Sequence, residues 1–176
     1  MKLTDSRSLD ALEVGFRARL SLALDACEAR GVVMVPYMTT RSPQVQARLW
    51  RQSRSGAQVR EAIAMLRAEG ADWLAAVLDS VGPCHGAPVT SALPGLSWHQ
   101  SGLACDSYWL VGDDAEWSPD RKVNGVNGYA VMREEAYRIG LHIGPATDWP
   151  HIQDRKAGRP PGTWADIDAT MRGLWA

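Results

Sequence analysis

Two short stretches constrain this chain more than any other: Ser97-Trp98-His99-Gln100-Ser101-Gly102-Leu103-Ala104-Cys105-Asp106, and Asp148-Trp149-Pro150-His151 further on. His99, Asp106 and His151 offer two imidazoles and a carboxylate, a donor set that suits a zinc ion keeping its fourth position for water. Asp148, three residues before the last of them, is placed to take a proton from that water. A second role for it would be to orient a ligand histidine. His99 and Asp106 are an odd number of residues apart, so one uninterrupted strand would point them to opposite faces. A turn must fall between them, and Ser101-Gly102 is the natural place.

Leu103 to Val111 then reads as a strand. Ala104, Asp106 and Tyr108 share its cleft face, and Leu103, Cys105, Trp109 and Val111 share its core face. Pro150 has no amide hydrogen and pushes Trp149 toward extended backbone, so Asp148 to His151 is not expected to be helical. Continued as a strand, His151 and Gln153 face the cleft and Ile152 faces inward.

Elsewhere the periodicity is helical. Leu9, Leu12, Phe16, Leu20, Ala23 and Cys27 mark a helix capped by Ser8 and stopped by Gly31. Val32 to Thr39 reads as a strand that Pro36 assigns to an edge or a bulge. Ser42-Pro43 opens the next helix in the favoured cap-then-proline order, leaving Arg41 at a strand-to-helix junction. Residues 56–82 carry two helical patterns broken at Glu69-Gly70, and Cys84 to Gly95 is a loop. Asp113 to Gly125 looks patternless, a surface loop. Tyr129, Met132, Ala136 and Ile139 mark a helix, and His142 is expected on a strand after it. Lys156 to Gly162 is a basic, proline-rich link to a last helix. That helix opens with a capping-box-like Thr163 to Asp166 and carries the stripe Trp164, Ile167, Met171, Leu174.

Composition bounds the partners. A length of 176 residues suits one domain, and 45% hydrophobic with 22% charged residues is ordinary for a globular chain. A net charge of -1 leaves no basic footprint for nucleic acid. Cys27, Cys84 and Cys105 are odd in number and scattered, which argues against a disulfide framework, and Cys27 and Cys105 fall on apolar faces. The polar start does not read as a signal peptide and no apolar run approaches a membrane span, so the expectation is synthesis in the cytosol without stable membrane association.

At the paired motifs the chain resembles the zinc peptidases of bacterial cell walls: the D-Ala-D-Ala carboxypeptidases and dipeptidases, and the phage L-alanyl-D-glutamate endopeptidases. Ser97-x-His99-x-x-Gly102-x-Ala104-x-Asp106 followed by Asp148-x-x-His151 carries the likeness. Val89-Thr90-Ser91-Ala92-Leu93-Pro94-Gly95 is similar to that family's lead-in. Thr40-Arg41-Ser42, Gln46, Leu49-Trp50 and Gln52-Ser53-Arg54-Ser55 resemble its Tyr-Arg-Ser, Gln-x-x-Leu-Tyr and Gln-Gly-Arg-Thr segment. Gly140-Leu141 and Pro150-His151-Ile152-Gln153 match its closing Gly-Leu and Pro-His-Phe-Gln, so the likeness covers roughly residues 8–155. Thr40 replaces the tyrosine, Ser53 a glycine, and Ile143-Gly144-Pro145 a tryptophan-glycine-glycine run, departures that bear on specificity.

The resemblance implies an α+β fold: a small, mainly antiparallel sheet carrying the zinc site, flanked by helices, an architecture shared with the amino-terminal domain of hedgehog signalling proteins. It implies His99, Asp106 and His151 as zinc ligands, Asp148 as catalytic base and Arg41 as the group that steadies the oxyanion. By residue type alone Arg41 could instead form a surface ion pair. Ser97 and Gln46 are candidates to touch substrate, or else a turn hydroxyl and a helix-face amide. His85 and His142 match no ligand position. The domain then spans residues 1–176, with 56–82 as a helical insertion and 156–176 as a link and helix. The substrate implied is the peptidoglycan stem peptide. Aspartate rather than glutamate as base looks more like the L-Ala-D-Glu endopeptidases than the dipeptidases. An endolysin of this kind would reach the wall through a pore-forming partner. The alternatives are a D-Ala-D-Ala carboxypeptidase or dipeptidase, and a non-catalytic zinc-containing binding domain of the same fold.

Overall fold

The computed structural model describes residues 2–145, 147–154 and 159–176. Along the chain a 3-10 turn at Leu9–Ala11 precedes helix α1 (Val14–Ala29), strand β1 (Val33–Met38) and helices α2 (Pro43–Arg51), α3 (Gly56–Ala68) and α4 (Asp72–Ser80). A second 3-10 turn, Trp98–Ser101, leads into β2 (Ala104–Val111) and β3 (Asp114–Glu116). Then come α5 (Gly128–Arg138), β4 (His142–Ile143), β5 (His151–Gln153) and α6 (Trp164–Trp175). The fold class is α+β. Residues 156–158 of the expected link lie outside the described residues. Among the described residues no helix is long and apolar enough to cross a membrane.

The chain forms two compact units, and the five strands among the described residues belong to one of them, Ser6–Thr40 with Gly102–Ala157. Its sheet runs β1-β2-β5-β4 with β3 paired to β2, and every pairing is antiparallel. Pro36 sits where a residue without an amide hydrogen is expected: β1 is an edge strand, and its register with β2 shifts between Pro36 and Met38. Cys105, Trp109 and Ile152 turn to one face, where Phe16, Leu20, Ala23 and Cys27 of α1 and Tyr129, Met132 and Ala136 of α5 complete a core. Burial pushes the Cys27 thiol up to about 11, with Glu135 adding to the rise and Arg30 opposing it. It pushes Cys105 up to about 12. Both act as small apolar side chains.

Two expectations fail in this unit. Ser8 caps only the 3-10 turn, and α1 starts at Val14, where the Glu13 carboxylate accepts the Phe16 amide at 2.8 Å. Leu12 is extended between the two pieces yet buried, so the apolar stripe runs on across the break. Residues 113–125 are not patternless: β3 returns on β2 through a two-residue Gly112-Asp113 turn. Asn124-Gly125, both at positive φ, closes a bridge between Val123 and Val126. That Asn-Gly pair was the readable hairpin signal.

The other unit, Met1–Asp5 with Arg41–Ser101 and Gly158–Ala176, is helical. Ser42 caps α2 as expected, accepting the Val45 amide at 3.3 Å, and Thr163 with Asp166 forms a complete capping box on α6. Helices α3 and α4 are no appendage to this unit. Leu66 and Ile63 of α3 with Leu74 and Leu78 of α4 meet Trp50 of α2 and Trp164, Ile167 and Met171 of α6 in one core. Ala71 gives α4 no side-chain cap; Asp168 of α6 accepts the Leu74 amide at 2.7 Å instead.

Candidate metal centre

Strand β5 pairs with β2 so that Asp106 stands opposite His151, Cys105 opposite Ile152 and Ala104 opposite Gln153. The ladder bonds from Ser107 to the Pro150 carbonyl and from Asp154 to the Leu103 carbonyl make Asp106 and His151 a pair without backbone bonds between them. Side chains come closest at such pairs. The His151 Nδ1 and Asp106 Oδ1 atoms are accordingly 2.9 Å apart. The other ring nitrogen, Nε2, lies 2.9 Å from Gln153 Oε1, two residues along the same face. The imidazole therefore has an acceptor at each nitrogen.

Burial is the largest single influence on His151 and would push its pKa down. The bond and charge of Asp106, the Gln153 bond and the Asp148 charge outweigh it, so the pKa is raised above the usual histidine value. A ring held between two acceptors attracts positive charge. Sequence reasoning put Gln153 on the cleft face without giving it a role. Its amide oxygen fixes the ring orientation and leaves Nδ1 as the nitrogen turned to the carboxylate.

The turn before β5 is held tightly. Arg133 of α5 donates to the Gly144 carbonyl at 2.8 Å and the Asp148 carbonyl at 3.4 Å, and its guanidinium lies 5.0 Å from the Trp149 ring centre. Gly144 has no room for a side chain: a Cβ there would meet the Asp148 carbonyl oxygen at 2.9 Å and the His151 Cβ at 3.1 Å. Asp148 itself is exposed. No periodicity marks Arg133, which lies beside the apolar stripe of its helix. His142 lies on β4 opposite Gln153, as a strand residue should.

In the helical unit His99 sits on the Trp98–Ser101 turn and is 1% exposed. Gly102 ends that turn at φ +67, and the expected break between His99 and Asp106 falls there. Gln100, fully buried, takes the amides of Gly95 at 2.9 Å and Ser97 at 3.2 Å on its side-chain oxygen, and its carbonyl accepts the Trp175 indole at 2.8 Å. Arg41 lies between β1 and α2, donates its amide to the His99 carbonyl at 3.4 Å, and reaches Ser97 Oγ with Nη2 at 3.2 Å. Gln46 is fully buried on α2 and donates to the Ala92 carbonyl at 2.8 Å, which ties down the loop before the motif. Gln100 carried no signal that sequence reasoning used.

His99, Asp106 and His151 each offer one ligand atom, and these atoms all lie within 4.8 Å of one another, a group that could hold a metal ion. Two imidazoles and a carboxylate with a hydrogen-bonded outer partner fit zinc chemistry. Asp148 is not in that group; its charge acts on His151. His85 lies in the loop after α4, apart from the group.

No family model and no curated protein matches the sequence. Among solved structures, the chain is similar to a vancomycin-resistance D,D-pentapeptidase, VanY, from a VanB-type resistance cassette, in complex with Zn(II). Identity is 18%, covering 99% of this chain and 87% of that chain, with a TM-score of 0.45. It is also similar to VanYB in complex with D-alanine-D-alanine, at 17% identity, 99% and 86% coverage and a TM-score of 0.44. Both scores are below 0.5, and neither likeness enters the functional reading that follows.

Proposed function

We propose that the chain is a zinc-dependent peptidoglycan peptidase that hydrolyses an amide bond of the stem peptide, the L-Ala-D-Glu bond in the first instance. The observation that carries this reading is the convergence of ligand atoms from His99, Asp106 and His151 within 4.8 Å. Zinc held there would act as a Lewis acid and lower the pKa of water toward about 7. Asp148 takes the proton of the attacking water and passes it to the leaving amine. Arg41, steadied by Ser97, stabilises the charge that develops on the carbonyl oxygen. Ser97, beside Arg41, completes the substrate contacts, whereas Gln46, fully buried and bonded to the Ala92 carbonyl, holds the loop before the motif. The choice of bond rests on the sequence resemblance, in which an aspartate base goes with the endopeptidases.

Digestion of purified peptidoglycan and defined muropeptides, with and without chelator, tests the reading when the released termini are identified by mass. New D-Glu amino termini support the L-Ala-D-Glu bond; loss of terminal D-Ala moves the assignment to a carboxypeptidase, and cleavage of added free D-Ala-D-Ala alone moves it to a dipeptidase. No product with zinc present leaves a binding domain. Asp148→Ala should keep its zinc and lose hydrolysis, and an active Asp148→Ala enzyme would refute the base assignment.

A further inference from the structure

A cavity of about 330 Å³ in the helical unit opens beside the end of α2 and the start of α3. Arg51, Ser53, Arg54, Gly56, Cys84 and His85 line it, with no acidic residue among the lining side chains. In a chain whose net charge is -1, two guanidiniums without a carboxylate stand out. Arg51 donates to the carbonyls of Leu78 and Val81, and Arg54 to those of Trp50 and Thr90. Among the described residues neither forms an ion pair. Each guanidinium has five N–H donors, so each keeps donors beyond those the backbone takes. The Arg54 guanidinium also lies 4.2 Å over the Trp50 ring, and burial holds its pKa below the usual arginine value with no anion to restore it.

Ser53 takes a left-handed backbone at φ +64, a conformation L residues other than Asn and Asp adopt reluctantly. Strain of this kind persists where the surroundings fix it and is often found at ligand sites. It places a hydroxyl-bearing residue on the cavity wall beside the two arginines.

We propose that this cavity is an oxyanion-binding site whose arginines take a single carboxylate or phosphate group. Planar guanidiniums with spare donors match either group, and charge-assisted bonds from them are stronger than neutral ones. The proposal is independent of the peptidase reading.

Cys84 provides the test, since Cys27 and Cys105 are buried and silent in the folded protein. An ordinary thiolate reacts more slowly with iodoacetate than with iodoacetamide, because the reagent carries like charge. At Cys84 the order should invert, with the iodoacetate rate saturating and falling when a competing anion is added. Inorganic phosphate and acetate as competitors separate the two sources by which acts at the lower concentration. Arg54→Met should abolish the inversion. Because that change also removes two backbone contacts, Ser53→Asp serves as the second variant: its side chain tolerates the left-handed backbone and puts a carboxylate in the cavity. It should shift the iodoacetate-to-iodoacetamide ratio by about tenfold while leaving the thermal midpoint near that of the parent. Alkylation in the ordinary order, without saturation and indifferent to both competitors, would overturn the proposal.

Discussion

The two units position their chemistry in different ways. In the sheet unit Asp106 and His151 face each other because the β2-β5 register puts them there, and main-chain ladder bonds on either side hold that register. In the helical unit Arg41, Ser97 and His99 all lie outside the helices proper, and side chains hold them. Gln100 clasps two amides, Trp175 clasps Gln100, and Asp5 accepts the Ser42 amide at 2.5 Å next to Arg41. A ladder survives truncation of the side chains it carries, because backbone groups make it. A clasp does not. The sheet residues should thus be separable into function and fold by mutation, whereas the helical-unit residues should lose both together.

The largest effect expected tests the ladder half of that contrast. His151→Ala and Asp106→Ala each remove a proposed ligand but no ladder bond, so metal content and hydrolysis should be lost while far-ultraviolet circular dichroism stays native. If either variant unfolds instead, the register depends on the side-chain pair and the contrast fails.

Gln100→Ala tests the clasp half. It leaves the buried amides of Gly95 and Ser97 without their acceptor, at a cost of about 1–3 kcal/mol for each orphaned group. Thermal midpoint and metal affinity should fall together, since the turn that carries His99 begins at Trp98. A variant with a parental midpoint would show that the clasp holds nothing.

This difference also explains what could be read from the sequence. The ladder half was legible: the Cys105 and Trp109 alternation, the Ser101-Gly102 break and the Pro150 restriction each follow from backbone geometry, and together they placed Asp106 and His151 on one face. The clasp half was not. Gln100 and Asp5 recur with no period, and their bonds join positions whose nearness only the folded chain creates. Leu12 misled for a related reason, because its burial continues the stripe of α1 across a point where the backbone is extended. Asp113 to Gly125 misled because a three-residue strand is too short to show alternation, though Asn124-Gly125 was there to be read.

A smaller effect sharpens the ladder half. Gln153→Ala keeps the register and removes the acceptor at His151 Nε2. Loss of such an outer partner typically weakens metal binding about 10–100-fold. Titration with zinc should find that loss with little change in metal-free stability, and Gln153→Glu, which keeps an acceptor, should restore most of the affinity. A Gln153→Ala protein that binds zinc as the parent does would remove Gln153 from the site.

The smallest effect separates a clasp from an ordinary cap. Thr163 and Asp166 bond reciprocally at the start of α6: the Thr163 amide and hydroxyl donate to Asp166 Oδ2 at 2.8 and 2.7 Å, and the Asp166 amide donates back at 3.2 Å. Those bonds, the hydroxyl first, hold the Asp166 carboxyl below its usual pKa. A carboxyl depressed in the folded state stabilises above its unfolded value, near 4, and loses that contribution as the pH falls through the folded value. Thr163→Ala should lower the thermal midpoint slightly at neutral pH, and this difference from the parent should shrink in acid below about pH 4, where the parent loses the interaction too. Unlike Gln100→Ala, it should leave zinc affinity alone, because it frays a helix end without releasing a residue of the site. A constant gap from neutral pH into acid would mean that the cap acts through the hydroxyl and backbone only, with no part played by the Asp166 charge.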